Sequence, residues 1–313
     1  MLASLLSATL HGLDGRLVRV EVDVAPGLPG FTIVGLADTA LQEARERVRG
    51  AIRNSGYDYP PRRITVNLAP AELRKGGASL DLAIALGILV GSEQIRATGR
   101  WAVLGGELRP VPGMLPMVAA LARRRLRRVV VPAEGVEEAR LSGGIEVVAA
   151  ETLAQAAQLL AATRRGRTKS GPPRVELADS IGSGAGLTSE LAPSEPVGLE
   201  NVPDLAEVRG QLEARRALEL ALAGGHCMAM IGPPGSGKTL LARTVPGLLP
   251  PLGDEEARVA TIVASVAGPV PLRELVRQRP FRSPHHTISY AAMVGGGPHL
   301  SPGEVTLANH RVC

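Results

Sequence analysis

Val18, Val20, Val22 and Val24 alternate with Arg19, Glu21 and Asp23, the period of a strand with one face buried. A Pro/Gly turn from Ala25 to Gly30 leads to a second apolar run, Phe31 to Val34. Together they predict a hairpin with a longer loop. From Asp38 the period lengthens. Leu41, Ala44, Val48 and Ile52 share one helical face, and Glu43, Arg45, Glu46 and Arg49 the other. Asp38 or Thr39 can cap this helix and Gly56 can stop it. Ile64, Val66 and Leu68 alternate with Thr65 and Asn67 as a further strand, and Leu80 to Val90 is apolar enough to be a buried helix. Trp101 to Leu104 and Glu107 to Leu108 flank a Gly105–Gly106 turn. Met114 to Arg125 reads as helix, Val129 to Val131 and Ile145 to Val148 as short strands, and Thr152 to Ala162 as a closing Ala/Leu helix.

Arg164 to Pro196 has no periodicity and is rich in Gly, Ser, Pro and charge, the composition of a flexible linker. Beyond it, Val208, Leu212, Leu218 and Leu222 mark a helix from about Leu205 to Ala223, ended by Gly224–Gly225. Cys227 to Ile231 predicts a short strand. A glycine-rich stretch and a helix from Lys238 follow, and Asp254 to Ala264 predicts another helix. From Gly268 the chain reads as loop. These shifts divide it into an α/β domain at residues 1–163, a linker at 164–196 and a second domain at 197–313. Two domains suit 313 residues at roughly 100–200 residues each.

Composition narrows the classes. Hydrophobic residues are 45% and charged residues 21%, enough for two aliphatic cores. Aromatics are only 2%, which argues against recognition by base stacking. A net charge of +5 permits contact with nucleic acid without establishing it. Cys227 and Cys313 form neither a disulfide framework nor a zinc site, which suits a reducing, cytoplasmic setting. Met1 to Leu10 lacks the basic region and cleavage site of a signal peptide. No apolar run reaches about 18 residues free of charge and breakers, so no membrane contact is expected.

The chemistry concentrates in Gly232-Pro233-Pro234-Gly235-Ser236-Gly237-Lys238-Thr239. This stretch fits the GxxxxGKT pattern with an apolar run before it and a helix after it. Its glycines let successive N–H groups turn inward and, with the helix N-terminus, form a nest for a phosphate. Lys238 can reach the β- and γ-phosphates, and the Thr239 hydroxyl can ligate Mg²⁺. ATP with Mg²⁺ is therefore the expected cofactor.

Gly224-Gly225-His226 ahead of that stretch, and the stretch itself, resemble the Mg-chelatase-like AAA+ ATPases of the ComM/YifB type. Arg279 to Ser289, Val294 to Gly297 and Pro302 to Val305 look like the insertion that marks magnesium-chelatase-type proteins. Pro29-Gly30-Phe31, Ile33 to Leu36, Glu46 to Arg49 and Pro60 to Pro70 resemble the same family. The resemblance implies an N-terminal α/β domain like that of Lon proteases (the ribosomal S5 domain 2-like fold) followed by a P-loop AAA+ domain. It further implies a hexameric ring and ATP-driven branch migration of DNA in recombination.

Two departures qualify the resemblance. After Gly303 to Ala308 comes Asn309-His310-Arg311-Val312-Cys313, where the family continues into a strand ending in an acidic pair. A partial AAA+ domain, lacking Walker B, sensors and lid, is thus expected, with weak nucleotide binding and turnover near zero. A frameshift near Ala308 would account for it. The alternative class is a nucleotide- or DNA-binding remnant without motor activity. The second departure concerns Ser79, which falls where the Lon-type nucleophile lies. That serine needs a lysine to take its proton, and Val111 to Met117, the matching segment, holds Leu115 and no lysine. Ser79 then reads as a helix cap, and the serine-peptidase alternative lacks its dyad.

Arg123, Arg124, Arg125, Arg127 and Arg128 cluster at a helix end, suited either to phosphate contact or to the helix dipole. His285 and His286 are adjacent and so point apart on an extended chain, which disfavours a shared metal. With Arg282 they suit a DNA-facing insertion or an intersubunit contact. Glu304 reads as structural.

Overall fold

In the computed structural model the described residues are 1–35, 43–73, 75, 78–98, 101–106, 109, 111–162, 202–268, 271–279, 281–285, 287–297 and 300–309. The proposed linker therefore lies outside them, as do Asp38 and Thr39, the expected helix caps, and the Glu107–Leu108 segment.

The N-terminal part is a mixed seven-stranded sheet with helices on both faces. Its strands are β1 (Leu2–His11), β2 (Asp14–Ala25), β3 (Gly30–Val34), β4 (Arg63–Ala69), β5 (Trp101–Val103), β6 (Arg128–Pro132) and β7 (Glu146–Ala150), in the spatial order β3-β4-β2-β1-β5-β6-β7. The alternation in β2 acts as expected, with Val18, Val20, Val22 and Val24 all buried. Its neighbours differ from expectation. β2 pairs antiparallel with β1 through a two-residue turn in which Gly12 takes a φ of 62°. On its other edge it pairs antiparallel with β4. β3 lies beyond β4 and runs parallel to it, so the hairpin between β2 and Phe31–Val34 does not form. Alternation specifies which face of a strand is buried; it does not say which strand lies alongside. β1 escaped the sequence reading because its buried face carries Ser7 and Thr9 among apolar residues, which blurs the period.

One face of the sheet is covered by α1 (Ala44–Asn54), α2 (Asp81–Gly91) and α5 (Leu153–Ala161). The other is covered by α3 (Met114–Arg123), with the short α4 (Val136–Arg140) beside it. α1 buries Ala44, Val48 and Ile52, the predicted face, and Gly56 follows its end at a φ of 78°. α2 is buried almost all round, and its Gly87 lets it sit against β2. A Cβ there would lie 2.6 Å from Val22 Cγ2. Leu80 occupies the N-cap of α2 with no side-chain cap, so Ser79 is not the expected cap; it lies in the short 3-10 turn before the helix. Asp81 in the first turn is buried and bridged by Arg47 of α1, Nε to Oδ2 at 2.7 Å. The opposed helix dipole and guanidinium stabilise this carboxylate. Thr152 caps α5 by accepting from the Gln155 amide.

Lys75 is completely buried and donates to the Pro70 carbonyl. Desolvation pushes its pKa below the ordinary lysine value, only partly offset by Glu72. The unfolded chain then holds more protons than the folded one in the window just below that ordinary value, so stability rises with pH there. The urea midpoint is expected to climb as pH rises toward the ordinary lysine value of about 10.4 and to stay level in Lys75→Met. A flat wild-type profile would contradict the burial cost.

The C-terminal part carries α6 (Leu212–Gly224), α7 (Lys238–Leu248), α8 (Asp254–Ala267), α9 (Tyr290–Val294) and α10 (Glu304–Leu307), with a two-stranded ribbon of β8 (Gly295–Gly296) and β9 (Ser301–Pro302). The helix expected from Leu205 is split. A 3-10 turn at Leu205–Glu207 closes with an Asp204–Glu207 capping box. Gly210 and Gln211 then take φ values of 71° and 52° before α6 begins. Two left-handed residues in succession break a right-handed helix.

Candidate phosphate-binding loop

Leu205, Val208, Leu218, Leu241 and Val245 form a small core between the 3-10 turn, α6 and α7. Met228 and Met230 pack against it, half-buried, while Cys227, Ala229 and Ile231 face outward, Ile231 at 98% exposure. The segment thus keeps the period of a strand but is not one. A strand exists through its hydrogen-bonded neighbours, and none pairs with it among the described residues. The expected strand at Cys227–Ile231 is corrected to an extended lead-in packed by one face only.

Gly232 to Gly237 follow as a loop and α7 starts at Lys238. Gly235 and Gly237 have φ values of 81° and 85°, where a side chain would be strained, and Gly237 is the N-cap. The Lys238 ammonium donates to the carbonyls of Gly232 at 2.9 Å and Pro233 at 2.7 Å, and to Ser236 Oγ at 3.2 Å. The loop is therefore wrapped around its own lysine. Gln211 Nε2 donates to the Ser236 carbonyl at 3.0 Å, a tie that the sequence pattern did not single out. Thr239 is exposed in the first turn of α7. Pro233 and Pro234 fill loop positions that need no amide for the helix.

Arg279 and Arg277 hold the turn between α7 and α8. Arg279 donates to the Pro250 carbonyl and to Glu256, and Arg277 pairs with Asp254. Arg282 does not face outward as expected for DNA contact. It is 5% exposed and grips Glu304 with both prongs at 2.7 and 2.6 Å. Glu304 reads as structural from the sequence, with no partner named; the fold brings Arg282 to it across 22 positions. His285 Nδ1 contacts Thr287 Oγ1 at 2.7 Å, and His286 lies outside the described residues. In the basic cluster, Arg123, Arg124, Arg125 and Arg127 are exposed. Arg128 instead pairs with Glu146 and lies 5.2 Å over the Trp101 ring. Among the described residues no helix is long and apolar enough to cross a membrane.

Residues 204–313 match the family model described as magnesium chelatase, subunit ChlI, and residues 20–135 match that of subunit ChlI of Mg-chelatase. The chain is 40% identical over 308 residues to protein YifB of Escherichia coli, and 38% identical over 319 residues to competence protein ComM of Haemophilus influenzae. It belongs to the magnesium-chelatase-like ComM/YifB family. An uncharacterized protein of Mycobacterium tuberculosis is 42% identical over 316 residues. These alignments take in 96 to 99% of the chain but 56 to 59% of the relatives, so the chain spans little more than half their length. A shorter stretch of 51 residues, 16% of the chain, is 45% identical to the cytochrome c biogenesis ATP-binding export protein CcmA of Rhodobacter capsulatus.

Proposed function

We propose that this family member binds ATP with Mg²⁺ at Gly232–Thr239, as the nucleotide site of a DNA-remodelling AAA+ protein. The observation that carries the reading is the loop itself. Two glycines are held in left-handed conformation and a lysine sits at the first position of an 11-residue helix, folded back on carbonyls of the same loop. In binding, the ammonium exchanges those carbonyls for anionic phosphate oxygens, a stronger, charge-assisted partnership. The N-terminal peptide groups of α7 face the same charge. Thr239 would hold Mg²⁺, which supplies charge neutralisation to the triphosphate. The Gln211 tie to Ser236 keeps the loop seated on α6.

The rest of the proposal rests on the family. It comprises a Lon-protease-like domain at 1–163, a linker at 164–196 and an AAA+-type domain from 197 onward. It also includes assembly as a homo-oligomer, contact with DNA and a cytoplasmic setting. Calorimetric titration with ATP and Mg²⁺ tests the site. One saturable site per chain, lost on chelating the magnesium, is expected; silence at millimolar nucleotide would sink the reading.

DNA contact has a separate test in the exposed arginines at the end of α3. Salt dependence of binding scales with the number of phosphates neutralised. Changing Arg123, Arg124, Arg125 and Arg127 to alanine is expected to reduce the slope of log K against log salt by about 0.9 for each arginine that meets a B-DNA phosphate. Fluorescence anisotropy with a labelled duplex reads this out, and an unaltered slope removes the patch from the interface.

A further inference from the structure

The two parts of the chain meet at one buried carboxylate. Glu138, in α4 beside the sheet, is 3% exposed. Its Oε1 accepts from the Leu115 amide at 3.1 Å and from Ser265 Oγ at 2.5 Å; its Oε2 accepts from the Leu272 amide at 3.2 Å. Leu115 stands in the first turn of α3, in the sheet part. Ser265, itself 2% exposed, is in the last turn of α8, and Leu272 lies in the segment beyond it, both in the C-terminal part. A fourth bond runs beside these, from the Gly113 amide to the Ser265 carbonyl at 2.8 Å. Three bonds of this set cross between the parts.

The charge matters more than the number of bonds. The groups that satisfy Glu138 are amides and a hydroxyl, and the N-terminal peptide dipoles of α3 lie on the same side. A buried carboxylate held by neutral donors is stable only while the donors stay in place. Two of its three donors come from the other part of the chain. Separating the parts would strip both at once, and the carboxylate would have to be wetted as they leave. Such a joint is closed or open, with little in between. It is also connected to the phosphate loop. Lys238 opens α7, Leu249 to Gly253 turn the chain, and α8 ends at the joint. The Arg279 bonds to Pro250 and Glu256 stiffen that turn.

We propose that Glu138 is a releasable latch between the sheet part and the loop-bearing part, and that events at the loop reach the sheet part through α7, α8 and this carboxylate. The second half of the proposal rests on the nucleotide reading of Gly232–Thr239; the first does not. The segment Val111–Met117, which lacks the lysine of a peptidase dyad, has in this chain the task of docking.

Native-state hydrogen exchange on the full chain tests both halves. Without nucleotide, Glu138→Gln replaces one accepting oxygen by a donor that faces another donor. The Leu115 and Leu272 amides are expected to exchange at least tenfold faster, while Val20 and Val22 in β2 keep their wild-type rates. Ser265→Ala is a milder second variant and is expected to speed Leu272 alone. The latch is overturned if Leu272 is unchanged in both variants, or if Val20 and Val22 accelerate by the same factor, which would make Glu138 a fold residue only. With ATP and Mg²⁺ added to wild type, the Leu115 and Leu272 rates are expected to shift at least threefold, and Glu138→Gln to abolish that response while uptake persists by calorimetry. Uptake with no shift at either amide overturns the coupling alone. Absence of uptake overturns the nucleotide reading and the coupling together, with the latch still decided by the measurements made without nucleotide.

Discussion

Replacing Glu304 by alanine is expected to destabilise the C-terminal part by about 3–5 kcal/mol, the cost of breaking a buried ion pair by removing one member. Arg282 is 5% exposed and bonded to both Glu304 oxygens at 2.7 and 2.6 Å, so the substitution takes a close counter-charge away from a buried guanidinium. The pair ties the chain entering the Ser283–Ser289 loop to α10, and so closes the β8–β9 ribbon at its base. Removing both charges together should behave differently. In Arg282→Met/Glu304→Leu the desolvation cost disappears with the attraction, and stability is expected to return to within about 1 kcal/mol of wild type or exceed it. Differential scanning calorimetry of the two single variants and the double variant measures the coupling. Glu304→Ala unfolding as wild type does would show that solvent reaches the pair and that its geometry stores little energy.

Lys238→Ala is expected to weaken ATP·Mg²⁺ binding by about 10- to 100-fold while leaving the fold intact. The magnitude is that of losing one charge-assisted hydrogen bond, at about 1.5–3 kcal/mol. The prediction separates binding from stability because the lysine bonds shown are to Gly232, Pro233 and Ser236 within its own loop, and the packing of α7 runs through Leu241 and Val245 instead. Lys238→Arg would keep the charge but not the compact reach, and it should recover only part of the affinity. Calorimetric titration gives the affinity and circular dichroism the fold. Wild-type affinity in the alanine variant would mean that nucleotide binds elsewhere.

Much of this molecule could be read from local chemistry. The valine alternation in β2, the Ala44–Val48–Ile52 stripe of α1 and the all-apolar α2 each follow from a short window of residues whose period matches one backbone geometry. The Gly232–Thr239 loop belongs with them, because glycines with positive φ, a lysine and a helix start are all set within eight consecutive positions.

Other features were invisible for a physical reason. β1 carries Ser7 and Thr9 on its buried face, so its period is diluted, although it is the strand that joins β2 to β5 at the middle of the sheet. The apolar run Phe31–Val34 marks a strand but not its neighbour, β4, since pairing depends on chain paths that a single window does not contain. Cys227–Ile231 has the composition of a strand without a ladder, which shows that propensity alone does not make one.

What the sequence determined by itself is therefore what lies within a few residues along the chain: the periods of the main helices and strands, and the glycine-rich Gly232–Gly237 loop that leads into the helix at Lys238. Only the tertiary structure decided the β3–β4 and β1–β2 pairings, the enclosure of Lys75, the Arg282–Glu304 pair and the Glu138 junction; in the last two the partners stand 22 to 134 positions apart. Charges and hydroxyls at such separations have no local signature. Their meaning arises when burial removes water and leaves each polar group dependent on the one partner the fold has placed beside it.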